Sequence, residues 1–104
     1  MIPFFKNLFG VGTKTDYKEL VNQGAEIIDV RTKGEFASGH IKGSKNIPLN
    51  TLHNNLKLLK NKEKTYLLCC ATGMRSGSAK SILKSNGYTN VHNAGSWHSL
   101  NNKL

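Results

Sequence analysis

Residues 67–79 have the types and order that suit an anion-binding loop holding a nucleophile. A short apolar run ends in Cys70, small residues with Gly73 and Arg75 follow, and the spacing then becomes helical. This pattern predicts a buried strand, a tight loop and a helix start. Such a loop directs backbone N–H groups toward one point, and the helix N-terminus adds partial positive charge. We therefore expect Cys70 to be a thiolate more often than an ordinary cysteine is.

Cys70 also has a plainer interpretation, as an inert cysteine packed at the end of a strand. Gly73 and Gly77 favour the reactive interpretation, because glycine permits backbone conformations that other residues resist. Arg75 favours it as well, because it places a fixed cation five positions after the cysteine. The preceding Cys69 is predicted to be a packing residue, since adjacent side chains on a strand point to opposite faces.

Composition limits the class of protein. The 104 residues predict one domain, and the net charge of +9 comes from 15 Lys and Arg against 6 Asp and Glu. The lysines are spread along the chain, which indicates a basic surface that attracts small anions and no nucleic-acid partner. The two cysteines are adjacent and the histidines are scattered, so we expect neither a disulfide framework nor a metal site. This cysteine usage suits a reducing compartment, and we expect a cytoplasmic protein.

The first 14 residues are interpreted as an N-terminal extension that packs on the domain or frays from it. They are apolar and aromatic, but no charged segment precedes them, and Lys6 and Asn7 interrupt the apolar run. A signal peptide is therefore not expected, and the stretch is too short for a transmembrane segment. We assign the domain itself to residues 15–104.

Apolar runs and helical spacing alternate along the rest of the chain. Strands are predicted at 26–30, 45–47, 65–69 and 88–91, helices at 15–24, 32–39, 51–60 and 76–86, a loop at 93–96 and a frayed helix at 97–104. The alternation indicates an open α/β domain with helices on both faces of a parallel sheet. Ligands bind such sheets outside the carboxyl ends of the strands, which is where Cys70 lies. Asp29 and Arg31 flank the end of a neighbouring strand, either joining loops by a charged hydrogen bond or serving only as anchors.

Several short motifs, in order, resemble those of the rhodanese family. The match extends from about residue 15 to residue 97. The matching segments are Asp29-Val30-Arg31, Glu35-Phe36, Gly39-His40-Ile41-Lys42-Gly43-Ser44, Asn46-Ile47-Pro48, Cys70-Ala71-Thr72-Gly73-Met74-Arg75-Ser76, Gly87-Tyr88, Val91 and Asn93-Ala94-Gly95. The chain is most similar to the small single-domain thiosulfate sulfurtransferases, including the bacterial phage-shock type.

The resemblance implies a single α/β domain, a five-stranded parallel sheet with helices on both faces, and a sulfurtransferase. Cys70 would form a persulfide with sulfane sulfur from thiosulfate or from a protein persulfide, and a thiol or cyanide would accept that sulfur. The substrate-binding loop would consist of Ala71, Thr72, Gly73, Met74 and Arg75, with Arg75 meeting an anionic donor. The cysteine carries the intermediate itself, so no cofactor is expected, and we expect a monomer.

Two other functions remain open at this point. Cysteine phosphatases and arsenate reductases also place a cysteine in an anion-binding loop before a helix. Their loop is one residue longer, whereas only four residues separate Cys70 from Arg75, a length that suits a single sulfur better. The other alternative is a non-catalytic, rhodanese-like binding module, against which the intact Cys70 argues.

Overall fold

The computed structural model describes residues 15–104. Strands and helices alternate through most of this range. In chain order the elements are α1 (Tyr17–Asn22), β1 (Glu26–Asp29), α2 (Lys33–Ser38), β2 (Lys45–Asn46), α3 (Leu49–Leu52), a 3₁₀ turn (Leu56–Leu58), β3 (Thr65–Cys70), α4 (Met74–Ser85), β4 (Asn90–Ser96) and α5 (Trp97–Asn102). No helix in this range is both long and apolar enough for a membrane crossing.

The strands form one parallel sheet in the order β2-β1-β3-β4. The central strand β3 is buried from Tyr66 to Cys70, as expected for a strand covered on both faces. Its apolar run explains why it lies in the middle, between β1 and β4. The carboxyl end of β3 therefore lies beside the ends of both neighbours, and Cys70 is its last residue.

Helices cover both faces of the sheet, which confirms the predicted architecture. On one face Ile28, Leu68 and Cys70 pack with Ala79 and Leu83 of α4. On the other face Leu67 and Cys69 pack with residues of α1 and α5, among them Tyr17, Leu20 and Leu100. The alternation of β3 side chains thus sends the two adjacent cysteines into different halves of the core.

The expectation of five strands is corrected to four within residues 15–104. The physical reason is that only four segments of this range pair as strands, and the residues between them form helices and turns. The proposed extension, residues 1–14, lies outside the described residues.

Two local predictions are also corrected. The helix expected at 51–60 is replaced by the short α3 and a 3₁₀ turn, and the amide of Asn55 donates to the carbonyl of Thr51 at the break. Asparagine side chains compete for backbone groups in this way and weaken helices. The loop expected at 93–96 belongs to β4, where a bulge shifts the pairing so that Gly95 lies opposite Cys69. This bulge lets β4 continue alongside β3 as far as Cys70.

Candidate active site

Cys70 ends β3 and lies under the short loop that leads into α4. Its side chain is buried, with 1% of the residue exposed. The Sγ atom accepts hydrogen bonds from the backbone N–H of Gly73 at 2.9 Å and of Ser76 at 3.4 Å. Gly73 has φ +101°, a left-handed conformation that favours glycine and turns its N–H back toward the sulfur. Backbone N–H groups therefore surround the Cys70 sulfur, as expected. We call the amides of Gly73 and Ser76, with the Ser76 hydroxyl, the cradle.

Ser76 adds a side-chain partner to the cradle. Its Oγ lies 3.4 Å from Cys70 Sγ and 2.6 Å from Asn93 Oδ1, to which the hydroxyl donates. Asn93 is itself held, because its amide donates to the Gly73 carbonyl at 3.0 Å and its Oδ1 accepts from the Gly95 N–H. A Cys70 thiol can donate to this hydroxyl, whereas a thiolate can only accept, so ionisation favours rotation of the Ser76 hydroxyl toward the sulfur.

The electrostatics of the cradle favour a thiolate at Cys70. Burial by itself raises the pKa of the thiol, but the hydroxyl and N–H of Ser76 and the amides of Gly73 and Thr72 lower it. The net pKa lies below the ordinary value for cysteine. Hydrogen bonds to the charged form therefore outweigh the cost of desolvation.

Cys69 has the opposite environment. It is fully buried in the second half of the core, where burial and, after it, the negative charge of Asp29 raise the pKa of its thiol to about 12. A thiol with such a pKa remains protonated at neutral pH and is a poor nucleophile. The structure confirms that Cys69 is a packing residue.

Arg75 is the second residue of α4, and its guanidinium is already paired. Nη1 and Nη2 donate to the two carboxylate oxygens of Glu35 at 2.7 and 3.0 Å. The side chains are each about one-third exposed, at 35% and 38%. Arg75, followed by the backbone N–H of Thr32, lowers the pKa of Glu35 to about 2. An anionic donor would therefore compete with this carboxylate for Arg75.

Glu35 occupies its position because it also caps α2. The side chain of Thr32 accepts from the N–H of Glu35, and the Glu35 carboxylate accepts from the N–H of Thr32. This capping box is the one predicted from the sequence and is confirmed. It holds the carboxylate at the first turn of α2, facing the first turn of α4.

A buried ion pair fixes α2 to the sheet. Arg31 donates through Nε and Nη2 to the carboxylate of Asp29, with a shortest distance of 2.7 Å, and Asp29 is completely buried. Arg31 also donates to the carbonyls of Glu35 and Gly39 at 3.3 and 2.6 Å. The pair therefore joins the end of β1 to α2 and to Gly39 beyond it, an arrangement that both interpretations of Asp29 and Arg31 expect.

Of the predicted loop residues, the structure places the amides of Gly73 and Thr72 at the Cys70 sulfur. Arg75 lies nearby in α4, but Ala71, Thr72 and Met74 expose their side chains to solvent. The sequence analysis did not identify Ser76, Asn93 or Glu35 as site residues. The position of the Ser76 hydroxyl at the predicted helix start could have indicated a role in the site. Asn93 gave no such indication, because it lay in a segment predicted to be a loop.

Replacing Ser76 with alanine should raise the pKa of Cys70. Its rates of alkylation and sulfur transfer near neutral pH should fall at least about tenfold, because a hydrogen bond to a charged group contributes about 1.5–3 kcal/mol. The alkylation rate is proportional to the fraction of Cys70 that is a thiolate, so it rises with pH and becomes constant above the pKa of Cys70. In the variant the rate should become constant only at a higher pH. Iodoacetamide labelling across pH measures the shift, and Ser78→Ala, at an exposed position of α4, is the matched control. If alkylation rates depended on pH in the same way in Ser76→Ala and in the unaltered protein, Ser76 would not be a hydrogen-bond donor to the Cys70 thiolate.

Comparisons with known proteins identify similar sequences and similar folds. Residues 13–103 match the family described as Rhodanese-like domain. The chain is 39% identical over 69 residues to the thiosulfate sulfurtransferase PspE of Escherichia coli, covering 65% of this chain and 66% of PspE. It is 41% identical over 69 residues to the protein YqhL of Bacillus subtilis, covering 66% and 54% of the two chains. The matched region thus spans between about half and two-thirds of the length of these relatives.

Solved structures show the same fold. A structure described as rhodanese with anions, from E. coli, superposes with a TM-score of 0.67 and 36% identity, covering 72% of this chain and 89% of the other. The human single-domain sulfurtransferase TSTD1 superposes with a TM-score of 0.69 and 27% identity, covering 85% and 91%.

Proposed function

Because the chain belongs to the rhodanese family, we propose that it is a sulfurtransferase that carries a sulfane sulfur on Cys70. The observation that carries the proposal is the cradle around Sγ, in which two backbone N–H groups and the Ser76 hydroxyl meet one sulfur atom. These donors lower the pKa of Cys70 and are fixed by the fold before any substrate arrives. The proposed donors are thiosulfate and protein persulfides, and the proposed acceptors are thiols and cyanide.

The proposed reaction has two steps. The Cys70 thiolate attacks the outer sulfur of thiosulfate, an Sγ–S bond forms, and the S–S bond of thiosulfate breaks with its electron pair leaving on sulfite. Cyanide then attacks the outer sulfur of the persulfide, thiocyanate leaves, and the electron pair of the Sγ–S bond returns to Cys70. A covalent intermediate of this kind requires ping-pong kinetics. The loop amides serve both steps, because each step begins or ends with negative charge on sulfur.

Thiosulfate alone should add the mass of one sulfur atom to the protein. Intact-mass spectrometry measures the addition, and cyanide should remove it with release of an equal amount of thiocyanate. A protein that gains no sulfur from any sulfane donor would contradict the proposal and favour a binding module. Cys70-dependent hydrolysis of an aryl phosphate would instead favour phosphatase chemistry, which we do not expect from a loop that converges on one atom.

Arg75 is proposed to bind the anionic donor in competition with Glu35. Arg75→Ala should raise the KM for thiosulfate up to about fivefold, since an interaction of a partly exposed charge pair is worth at most about 1 kcal/mol. Glu35→Gln should lower that KM, because the competing charge is removed while the amide oxygen can still accept from the N–H of Thr32. Steady-state kinetics with thiosulfate measure both effects. Unchanged KM values in both variants would remove Arg75 from the donor site.

We also propose that the protein is a cytoplasmic monomer. Both cysteines are free thiols in the structure, and a cysteine that must cycle between thiolate and persulfide suits a reducing compartment.

A further inference from the structure

A small cavity lies at the carboxyl end of the sheet, beside the Cys70 loop. Its volume is about 250 Å³, which is close to the liquid volume of roughly eight water molecules and below the usual size of a pocket for a drug-sized ligand. The lining residues are Val30, Thr32, Pro48, Leu49, Asn50 and Arg75. The size indicates a molecule of only a few heavy atoms.

The floor of the cavity adjoins the end of the strand that carries Cys70. The backbone N–H of Val30 donates to the carbonyl of Cys69 at 3.0 Å, so Val30 extends β1 alongside the end of β3. Val30 is buried in the same cluster as Cys70, on the same face of the sheet. The N–H of Leu49 donates to the carbonyl of Val30 at 3.0 Å and holds the start of α3 over this floor. On its other side the cavity is bounded by Arg75, one residue before Ser76 of the cradle.

The chemistry of the walls is mainly apolar and close to neutral in charge. Pro48 and Leu49 present hydrocarbon surface above the buried Val30, and the guanidinium of Arg75 is paired with Glu35. Thr32 and Asn50 add uncharged polar groups. A short alkyl chain gains from burial on such walls, at about 0.8 kcal/mol for each methylene group, whereas a large polyanion would find neither room nor an unpaired charge.

We propose that this cavity binds the aliphatic part of a small organic thiol that accepts the sulfur from Cys70. The inference rests on the proposed function, because it concerns the second step of that reaction. The thiolate of the acceptor forms a bond to the outer sulfur of the protonated persulfide, the Sγ–S bond breaks with its electron pair on Sγ, and the product is an alkyl persulfide that keeps the proton. With the alkyl chain on Pro48 and Leu49, the acceptor's sulfur lies toward the cradle.

A series of straight-chain thiols tests the proposal. The protein is first loaded with thiosulfate and the persulfide is verified by mass, and single-turnover rates are then measured with ethanethiol, propanethiol and butanethiol. The acceptors have nearly equal thiol chemistry, so only the chain length varies. We expect the second-order rate constant for the reaction with the loaded persulfide to rise about fourfold for each added methylene, the equivalent of about 0.8 kcal/mol. Equal rates along the series would overturn the proposal without a variant being needed.

The variant Asn50→Trp tests whether the dependence of the rate on chain length arises in this cavity. Asn50 is exposed and lines the cavity, so an indole there should occupy the space and abolish the dependence on chain length. Asn54→Trp is the matched control, because Asn54 is also an exposed asparagine but does not line the cavity, and it should keep the dependence. Retention of the dependence in Asn50→Trp, or its loss in both variants, would overturn the proposal.

Cyanide separates this inference from the proposed function. Cyanide has no chain to bind, so its reaction with the loaded persulfide reports the chemistry of Cys70 alone. A normal reaction with cyanide, together with equal rates for all thiols, would overturn the cavity as an acceptor site and leave sulfur transfer standing. Failure to load the persulfide at all would overturn both.

Discussion

Replacing Cys70 with alanine should abolish persulfide formation and reduce sulfur transfer by about 10⁴-fold or more, the scale of loss seen when an enzyme loses its nucleophile. The fold should survive, because the exchange removes one sulfur atom from a buried position. Intact-mass spectrometry after treatment with thiosulfate and thiocyanate release with cyanide provide two independent measurements.

Cys69→Ala is the matched control for this experiment. It removes the same atom from the adjacent residue, which is equally buried but faces the other half of the core. Transfer should remain nearly intact, while stability falls by about 1 kcal/mol for the lost apolar packing. A Cys69→Ala protein as inactive as Cys70→Ala would show that the two sulfurs act together and would contradict the assignment of a single nucleophile.

The largest effect on stability is expected at Asp29. Asp29→Ala should lower the free energy of unfolding by about 3–5 kcal/mol, because it leaves the buried guanidinium of Arg31 without its carboxylate. That loss is a large part of the total stability of a small domain, about 5–15 kcal/mol. Urea denaturation followed by circular dichroism measures it.

Glu26→Ala supplies the comparison for Asp29. Glu26 lies on the same strand but pairs with Lys45 and Lys64 at 3.4 and 4.0 Å on the surface. Its loss should cost less than about 1 kcal/mol, as is usual for exposed pairs. Equal losses for Asp29→Ala and Glu26→Ala would mean that the buried pair does not hold α2 to the sheet.

The fold was predictable where apolar pattern and capping chemistry agreed. The apolar run at 65–69 identified the central strand, and Thr32 with Glu35 identified the start of α2. Prediction failed at 93–96, because strand β4 there contains small and polar residues that carry no apolar pattern. What makes this segment a strand is its pairing with β3 through a bulge, and such a contact between distant residues leaves no local signal.

The site was predictable to a similar extent. Cys70 and its loop follow from residues that are adjacent in the chain, and the structure gathers their amides around Sγ. Asn93 is 17 residues from Ser76, and Glu35 is 40 residues from Arg75. These contacts arise only when β4 and α2 come to lie against the loop. The sequence therefore pointed to Cys70 and its loop but not to the groups that orient their surroundings.

The opposite orientation of the two cysteines has a consequence for oxidative damage. Peroxide attack on the Cys70 thiolate would give a sulfenic acid, which a nearby second thiol normally captures as a disulfide before further oxidation. The chain has only one other cysteine, and Cys69 faces the far side of the sheet with its thiol protonated. Cys70 thus has no resolving partner within its own chain. Its rescue from overoxidation depends on a thiol that comes from solution.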